Sequence, residues 1–391
     1  MATGVNKLNS VIGLSKEVTE GTYLAPSDWV MPLEGFSDSS NREELERQAI
    51  TANIGTAVPR VGIKSASVTL PLEYKGSGAE GTDPESDLLL ESMLGSKREI
   101  NSRSTTKAGN TASQLEIEDA DISKYSAGDM IVVLEAGDHS AHFITAVDPT
   151  AAAANITISP ARSGAPSDNV EISMSTTYYP ANISHPSLSA SVFLGDEILS
   201  SVSGCKVASM SLDNFSVGQV PSLNFALQGM DFDRSDASSA GATYSDGLPF
   251  ITLGACVYQD GVSLELQDFS FTVTNEIGQI KSTCSESGVT TQRHTKRSIE
   301  FSMNPYMDDT TLEQWDKFTG QELYSLVVIG FSPSAVAGEI DLGSVCGVYL
   351  PNCLTTSAPT GDVDNIMVDD ISGKATVGLT GDEDDIFMSF A

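Results

Sequence analysis

Apolar and polar residues alternate strictly from Ser65 to Tyr74. Ala66, Val68, Leu70, Leu72 and Tyr74 fall on one side, and Ser65, Ser67, Thr69, Pro71 and Glu73 on the other. Successive side chains of a strand point to opposite faces, so the pattern predicts a half-buried strand with one apolar and one small-polar face. After a Gly-rich loop, Asp83-Pro84 offers an N-cap with proline at the first helical position. Leu89, Leu90, Met93 and Leu94 mark one face of a short helix, and Gly95 is placed to end it in the left-handed conformation. The same order returns in the second half of the chain. Ile299, Phe301 and Met303 alternate with Ser298, Glu300 and Ser302, and Thr310-Thr311-Leu312-Glu313 reads as a capping box. A helix follows with Leu312, Trp315 and Phe318 as its core face and Gly320 as its terminator. Order and spacing together predict a duplicated β module.

Further strands are expected at 187–193, 207–215, 222–228, 268–274, 324–331, 345–349, 375–379 and 385–390. In one of them Ala208, Met210 and Leu212 oppose Ser209, Ser211 and Asp213, again a small polar face. Two long loops occupy matching positions. The first, 41–63, holds Arg42, Glu43, Glu44, Glu46, Arg47 and Arg60, with Ile50, Ile54, Val58 and Val61 to bury against a partner. The second, 275–295, holds Lys281, Arg293 and His294. Short strands at 115–117, 130–134, 142–147 and 156–158 predict a small inserted barrel or sandwich. The expected division is an N-terminal arm (1–29), a first module in two parts (30–112, ending in a polar linker at 97–112, and 178–232), and an insert (113–177). A second linker (233–249) leads to a second module carrying the C-terminal strands (250–391).

Composition narrows the function. The chain has 391 residues, 53 acidic against 21 basic, and a net charge of −32. That balance argues against a protein that grips DNA, because phosphate neutralisation by Lys and Arg supplies most of such affinity. It fits a solvated acidic surface, or one that lies beside nucleic acid without sticking. The first residues lack an apolar run, so no signal peptide is expected, and no stretch approaches the roughly 20 apolar residues of a membrane span. Five scattered cysteines with no CxxC suit reduced thiols in a protein made in a cytoplasm.

Candidate chemistry is sparse. His139 and His142 lack a third metal ligand at sensible spacing and read as a surface pair at a hairpin turn. Asp362-Val363-Asp364-Asn365 and Asp382-Glu383-Asp384-Asp385 lack the glycine and terminal Glu of an EF-hand loop and read as solvated turns. Nothing sets a nucleophile beside a base, and there is no GxSxG, P-loop or post-strand GxGxxG. No enzyme activity, cofactor or metal is expected. Arg293, Lys296 and Arg297 form a small basic cluster on an acidic chain, suited to an acidic partner such as another copy.

Glu20-Gly21-Thr22-Tyr23-Leu24-Ala25-Pro26, the passage Arg42-Glu43-Glu44-Leu45-Glu46-Arg47 through Gly55, Pro59 and Gly62 into the 64–74 strand, and His185-Pro186-Ser187-Leu188 share a common likeness. So do Val348-Tyr349-Leu350-Pro351 with Thr355-Thr356-Ser357-Ala358-Pro359, and the ending from Gly381-Asp382 to Phe390. Taken in order, these segments resemble the major tail tube proteins of long, non-contractile-tailed bacteriophages. The resemblance implies a mainly β fold, two packed sheets with a short flanking helix, here duplicated and carrying the small inserted β domain. It implies rings whose inner sheets close into one β-barrel around a lumen, stacked into a tube, with three copies of a duplicated chain per ring. On that footing Glu73, Ser209, Ser211, Asp213, Glu300 and Ser302 are candidates to line the lumen, and Arg42, Glu46, Arg60, Lys281, Arg293 and Lys296 to bridge rings. The implied partners are the protein itself and other tail proteins such as tape measure and terminator. Genomic DNA would pass through without specific binding. The implied location is the virion tail, with synthesis and assembly in the bacterial host cytoplasm. The rival reading, an acidic multi-domain β adhesin or receptor-binding virion protein, predicts aromatics on exposed loops or complete Ca²⁺ loops, and neither is present.

Overall fold

The computed structural model describes residues 6–47, 58–150, 154–182, 185–239, 241–307, 312–332, 334, 336–363, 365–378 and 384–391. Its centre is a long antiparallel sheet. In chain order its strands are β1 (Ser37–Leu45), β2 (Arg60–Glu73), β3 (Ile198–Asp213), β4 (Ser222–Gly229), β5 (Leu266–Lys281), β6 (Val289–Pro305), β7 (Cys346–Ser357) and β8 (Ile371–Ala375). In space they run β1-β2-β4-β3-β5-β6-β8-β7, every neighbour antiparallel. The two halves of the chain meet at β3–β5, where Ser209, Met210, Ser211 and Leu212 pair with Thr274, Val273, Thr272 and Phe271.

Alternation fixes which face is buried. Leu70, Leu72, Phe225, Met210, Phe271, Ile299, Phe301 and Met303 lie on one side, inside a single core that spans both halves. A second layer covers that side. Val11–Lys16 pairs with Leu188–Leu194, which pairs with the first half of β3. On the other half, Tyr324–Gly330 and Phe387–Phe390 flank the first half of β7. Phe387–Phe390 then pairs with Ser175–Pro180, which pairs with Gly95–Ile100. Thus β3 and β7 each serve both layers. β3 turns between them at Gly204, whose φ of +64° and contact with Met230 exclude a Cβ.

Several expectations are corrected. The stretch expected as an arm holds a buried strand, because Ile12 and Leu14 face the core. Residues 97–100, expected as the start of a linker, belong to a strand, Gly95–Ile100, that pairs with 175–180 and whose alternation is masked by Lys97, Arg98 and Glu99. Where they are described, both long loops are β ribbons. Arg42 faces Lys64 and Leu45 faces Arg60 in the first, and Gly278 faces Arg293 and Gln279 faces Gln292 in the second. Register shifts at Arg42/Glu44, Glu276/Ile277 and Ile280/Lys281 break the period of two and hide the strands from a pattern search. Ile50 and Ile54 lie outside the described residues. The first helix, α1, spans Asp87–Leu94 and begins after Ser86, not at Asp83-Pro84. Asp83 is engaged by Lys97 at 2.9 Å, and Gly95 ends the helix with φ +105° as expected. The second helix, α2, spans Leu312–Gly320. Among its described side chains Gln314 and Lys317 are buried, Phe318 is half-buried and Trp315 is 51% exposed, so Trp315 is not the core residue expected, and the Leu312 side chain lies outside those described. Gln321, with φ +54°, takes the left-handed position that Gly320 was expected to fill. Thr310 and Thr311 lie outside the described residues. The strand expected at 375–379 runs Ile371–Ala375 instead.

The insert is a barrel. Its strands follow the order Ser104–Thr105, Glu171–Ile172, Met130–Glu135, Asp138–Asp148, Asn155–Ser159, Gln114–Glu116. A bridge between Thr106 and Ile117 joins the two ends. Leu115, Ile117, Ile131, Val133, Ile144 and Ile156 fill it. Met130, Val132 and Phe143 point outward and pack on Val327, Ile329, Tyr349 and Phe387 of the second half. Burial on both faces explains why 130–134 is continuously apolar. Beside this contact Arg98 Nη2 donates to the buried Asp129 Oδ1 at 2.6 Å. Burial drives the Asp129 carboxyl up, and the Arg98 charge opposes that rise. Among the described residues no helix is long and apolar enough to cross a membrane.

Candidate functional site

The uncovered face of the long sheet is built from the polar half of each alternation. Pro71, Asn224, Ser211, Thr272, Glu300 and Lys374 form one row across six strands. Glu73, Ser222 and Asp213 form part of the next, with Ser270, Ser302 and Ser372 continuing that side of the sheet. All six residues singled out in the sequence for this role, Glu73, Ser209, Ser211, Asp213, Glu300 and Ser302, therefore share one face. Glu300 and Ser302 are exposed, and the other four are half-buried. Lys374 lies 3.2 Å from Glu300 with both side chains more than half exposed, so this pair contributes little stability. Asp213 accepts from Ser211 Oγ at 3.2 Å. The face thus joins hydroxyls to carboxylates with no aromatic ring for stacking. Sequence reasoning missed Ser372 and Lys374, whose strand is short and holds a glycine where Phe301 and the Leu354 carbonyl crowd in.

The sheet has two open sides. Among the described residues, β1 pairs only with β2 and is exposed along most of its length. At the other side Thr355 and Ser357 of β7 pair with β8 and, among the described residues, with no further strand.

The two ribbons project from one end of the sheet. Arg42, Glu46 and Arg60 lie on the first, and Lys281, Arg293 and Lys296 on the second, all exposed. Among the described residues Arg42, Arg47, Arg60, Lys281, Arg293 and Lys296 make no ion pair, whereas most other cations do. The expected basic cluster is split, because Arg297 turns inward to Asp385 at 2.9 Å while Arg293 and Lys296 face out. Glu20 accepts from Thr291 Oγ1 at 2.6 Å and from the Gln292 amide at 2.6 Å, and so fixes the second ribbon against the first half. Leu45, Val58, Val61 and Ile280 add exposed apolar surface at this end. At the opposite end, by the β3–β4 turn, Val217, Val220, Ile251 and Leu253 are exposed. There Ser216 bridges Asp268, and Gln219 pairs with Thr252.

The two histidines singled out in the sequence lie in different surroundings. His142 is 2% exposed, a core residue and not the expected surface one, with Nδ1 on the Pro160 carbonyl at 2.7 Å. His139 Nδ1 accepts from the Ile340 amide. Asp384 accepts from Asn352 and from the Gly378 amide, and Asp382 and Glu383 lie outside the described residues. Among the described residues no three His, Cys, Asp or Glu side chains converge to hold a metal. Cys205, Cys346 and Cys353 are buried, Cys256 and Cys284 exposed, and all five are free thiols.

Burial holds the His142 pKa down to about 4, against about 6.5 in an unfolded chain. As pH falls the unfolded chain takes up this proton first, so folding stability is lost between about 6.5 and 4, by up to about 3 kcal/mol. Urea unfolding at pH 7.5 and 4.5 is expected to show a smaller acid loss for His142→Asn than for the unchanged chain. An equal loss in both rules His142 out as the source.

A family model described as phage tail tube protein matches residues 7–380. No curated protein matches the chain.

Proposed function

The chain belongs to the phage tail tube protein family, and from that premise we propose that three copies close their long sheets into one barrel, and that such rings stack into the tube. Membership makes it a structural component of the virion tail that assembles with itself and other tail components. The observation that carries the ring is the β3–β5 seam, at which two half-sheets already meet edge to edge within one polypeptide. The same joint repeated between copies would pair β1 of one chain with the end of β7 of the next. Seven antiparallel steps separate β1 from β7, so these strands run in opposite directions and the new pairing is antiparallel too. Such a head-to-tail contact closes on itself and removes exposed strand edges that would otherwise invite aggregation.

Only the polar face can look into the lumen, since the other face lies under the second layer. Its carboxylates would keep DNA moving by denying it phosphate contacts. The unpaired cations of the ribbons would meet the turn end of the ring beside them, where Glu73, Asp213 and Asp268 lie around an apolar patch. Within this reading 30–112 with 178–232 is one tube module, 250–391 the other, and 113–177 a barrel decorating the outside. Tape measure and terminator proteins are the further partners, and assembly takes place in the host cytoplasm.

Electron microscopy of the purified protein and of virions tests this reading, with stacked rings of three chains expected. Six chains per ring would overturn the stoichiometry. A protein that stays monomeric and is missing from virions would overturn the whole.

A further inference from the structure

The two halves of the chain carry the same small features at matching places. In β3 the buried Cys205 donates its Sγ to the Val202 carbonyl at 3.7 Å, and in β7 Cys353 does the same to the Leu350 carbonyl at 3.7 Å. Just beyond each cysteine a bulge breaks the ladder, between Val207 and Ser209 and between Thr355 and Ser357. Counted from the cysteines, Ser209, Met210, Ser211 and Leu212 correspond to Ser357, Ala358, Pro359 and Thr360. In β2 Lys64 reaches Asp231 at 2.6 Å, and in β6 Arg297 reaches Asp385 at 2.9 Å. Each aspartate stands at or just before the start of the strand that flanks the first half of β3 or β7. Counted from these cations, Val68 corresponds to Phe301. The two counts agree, because Val68 is level with Leu227 and Val207 as Phe301 is with Gly373 and Thr355. Asp38 faces Val68 and Phe271 faces Phe301, so Asp38, Ser39, Ser40 and Asn41 correspond to Phe271, Thr272, Val273 and Thr274.

Within the chain Ser209, Met210, Ser211 and Leu212 face Thr274, Val273, Thr272 and Phe271. We propose that the joint between copies repeats this register, so that Ser357, Ala358, Pro359 and Thr360 of one copy face Asn41, Ser40, Ser39 and Asp38 of the next. The inference rests on the ring-closure reading and adds to it the residues that meet. It puts Ser357 and Pro359 on the polar face beside Asn41 and Ser39, whose own partners Ser65 and Ser67 lie on that face. Ala358, which packs against the core, then falls on the covered side with Ser40. A slip of one residue would turn all of these side chains over. The Pro359 carbonyl accepts from the Asp370 amide at 2.8 Å, so that residue's main chain faces β8. The missing N–H of Pro359 therefore costs the new ladder nothing.

This register also supplies the stagger that a closed sheet needs. The row through Phe301 runs by Phe271, Leu212 and Leu223 to Leu72, four residues past Val68, the counterpart of Phe301. Six half-sheets with that step accumulate about 24 residues over eight strands from each of three chains. With strands about 4.8 Å apart and about 3.3 Å per residue, the strands tilt by about 35° and opposite backbones stand about 45 Å apart. On the β1 side the same row ends at Pro32, which bridges Leu72, and on the β7 side at Thr355. A joint that set Thr355 level with Pro32 would give no stagger at all. Its strands would stand upright, with opposite backbones about 37 Å apart, against the twist that strands carry.

The test is disulfide formation in assembled full-length protein. Ser357→Cys is combined with Asn41→Cys, or with Ser37→Cys four residues out of register, in a Cys256→Ser, Cys284→Ser background, and oxidised with diamide. Ser357, Asn41 and Ser37 are all exposed in the single chain. Facing positions bring two cysteines within reach of a disulfide, and positions four residues apart do not. The Asn41→Cys pair is expected to give a ladder of covalent products ending at three chains, with a yield about tenfold or more above the Ser37→Cys pair. Rings in which the Ser37→Cys pair bridges as well or better, or in which neither pair bridges, would overturn the register while leaving ring closure intact. Should the double variants fail to assemble, a density map of the unchanged tube decides. Strands inclined by about 35° around a bore of about 45 Å are expected, and upright strands around about 37 Å would overturn the register. If the unchanged chain never forms rings, the ring-closure reading falls and the register with it.

Discussion

Replacing Arg42, Arg60, Arg293 and Lys296 together by glutamate is expected to abolish tube growth while rings continue to form. All four are exposed and make no ion pair among the described residues, so the folded protein loses little, about 0.5 kcal/mol or less per site. Between rings the balance differs. Four cations that would lie against the acidic turn end become anions there, and juxtaposed like charges cost several kcal/mol per interface. The cost recurs with every copy around the ring. Negative-stain microscopy and sedimentation separate rings from tubes directly. For the unchanged protein, stacking is expected to weaken as salt shortens the Debye length from about 10 Å at 0.1 M to about 3 Å at 1 M. Normal tube lengths from the variant would remove the ribbons from the stacking contact.

The second large effect concerns the polar face. Changing Ser211, Glu300 and Ser302 to lysine, away from the turn end that meets the ribbons, is expected to turn a wall that ignores DNA into one that holds it. Lys374 would lose its carboxylate at 3.2 Å and add a further free cation to the same row. Non-specific sites of this kind bind with dissociation constants of roughly 10⁻⁴ to 10⁻⁶ M at physiological salt, and their affinity falls steeply as salt rises. Co-sedimentation of short duplexes with assembled tubes at low and high salt reads out the change. Fragments held inside the cylinder should also resist nuclease. Virions built from the variant should eject their genome slowly. Tubes that bind no more DNA than the unchanged ones would show that this face does not line the channel.

Much of this arrangement was legible from periodicity. Ala66 to Tyr74, Met210 to Asp213 and Ser298 to Met303 each have one residue type per face, and in each the structure buries the side that the pattern marks, whereas Ala208 falls at a bulge and is only half-buried. Less could be read wherever a strand departs from that pattern. The ribbons carry bulges, so their side chains lose phase with one another. Gly95–Ile100 is strand by virtue of its partner at 175–180, and its own residues are Ser, Lys, Arg and Glu. On α2 the aromatic residues are the more exposed ones, and Lys317 is buried because Asp260 receives its Nζ at 2.6 Å. A hydrophobicity count assigns that face backwards. The partnership of Phe387–Phe390 with 175–180, which interleaves the two halves, leaves no local trace at all.

The β3–β5 seam also bears on how fast the particle can be made. Each body captured from solution gives up translational and rotational freedom worth on the order of 4–15 kcal/mol. In the proposed ring every second joint would be built while the polypeptide folds, so only the alternate joints would wait on collisions, and nucleation is expected to be of lower order in concentration than for separate half-chains. The two kinds of joint are free to differ in strength. The covalently tethered one can be as weak as its sequence dictates without the particle coming apart there, and mild dissociation should return whole chains with their internal joint still closed.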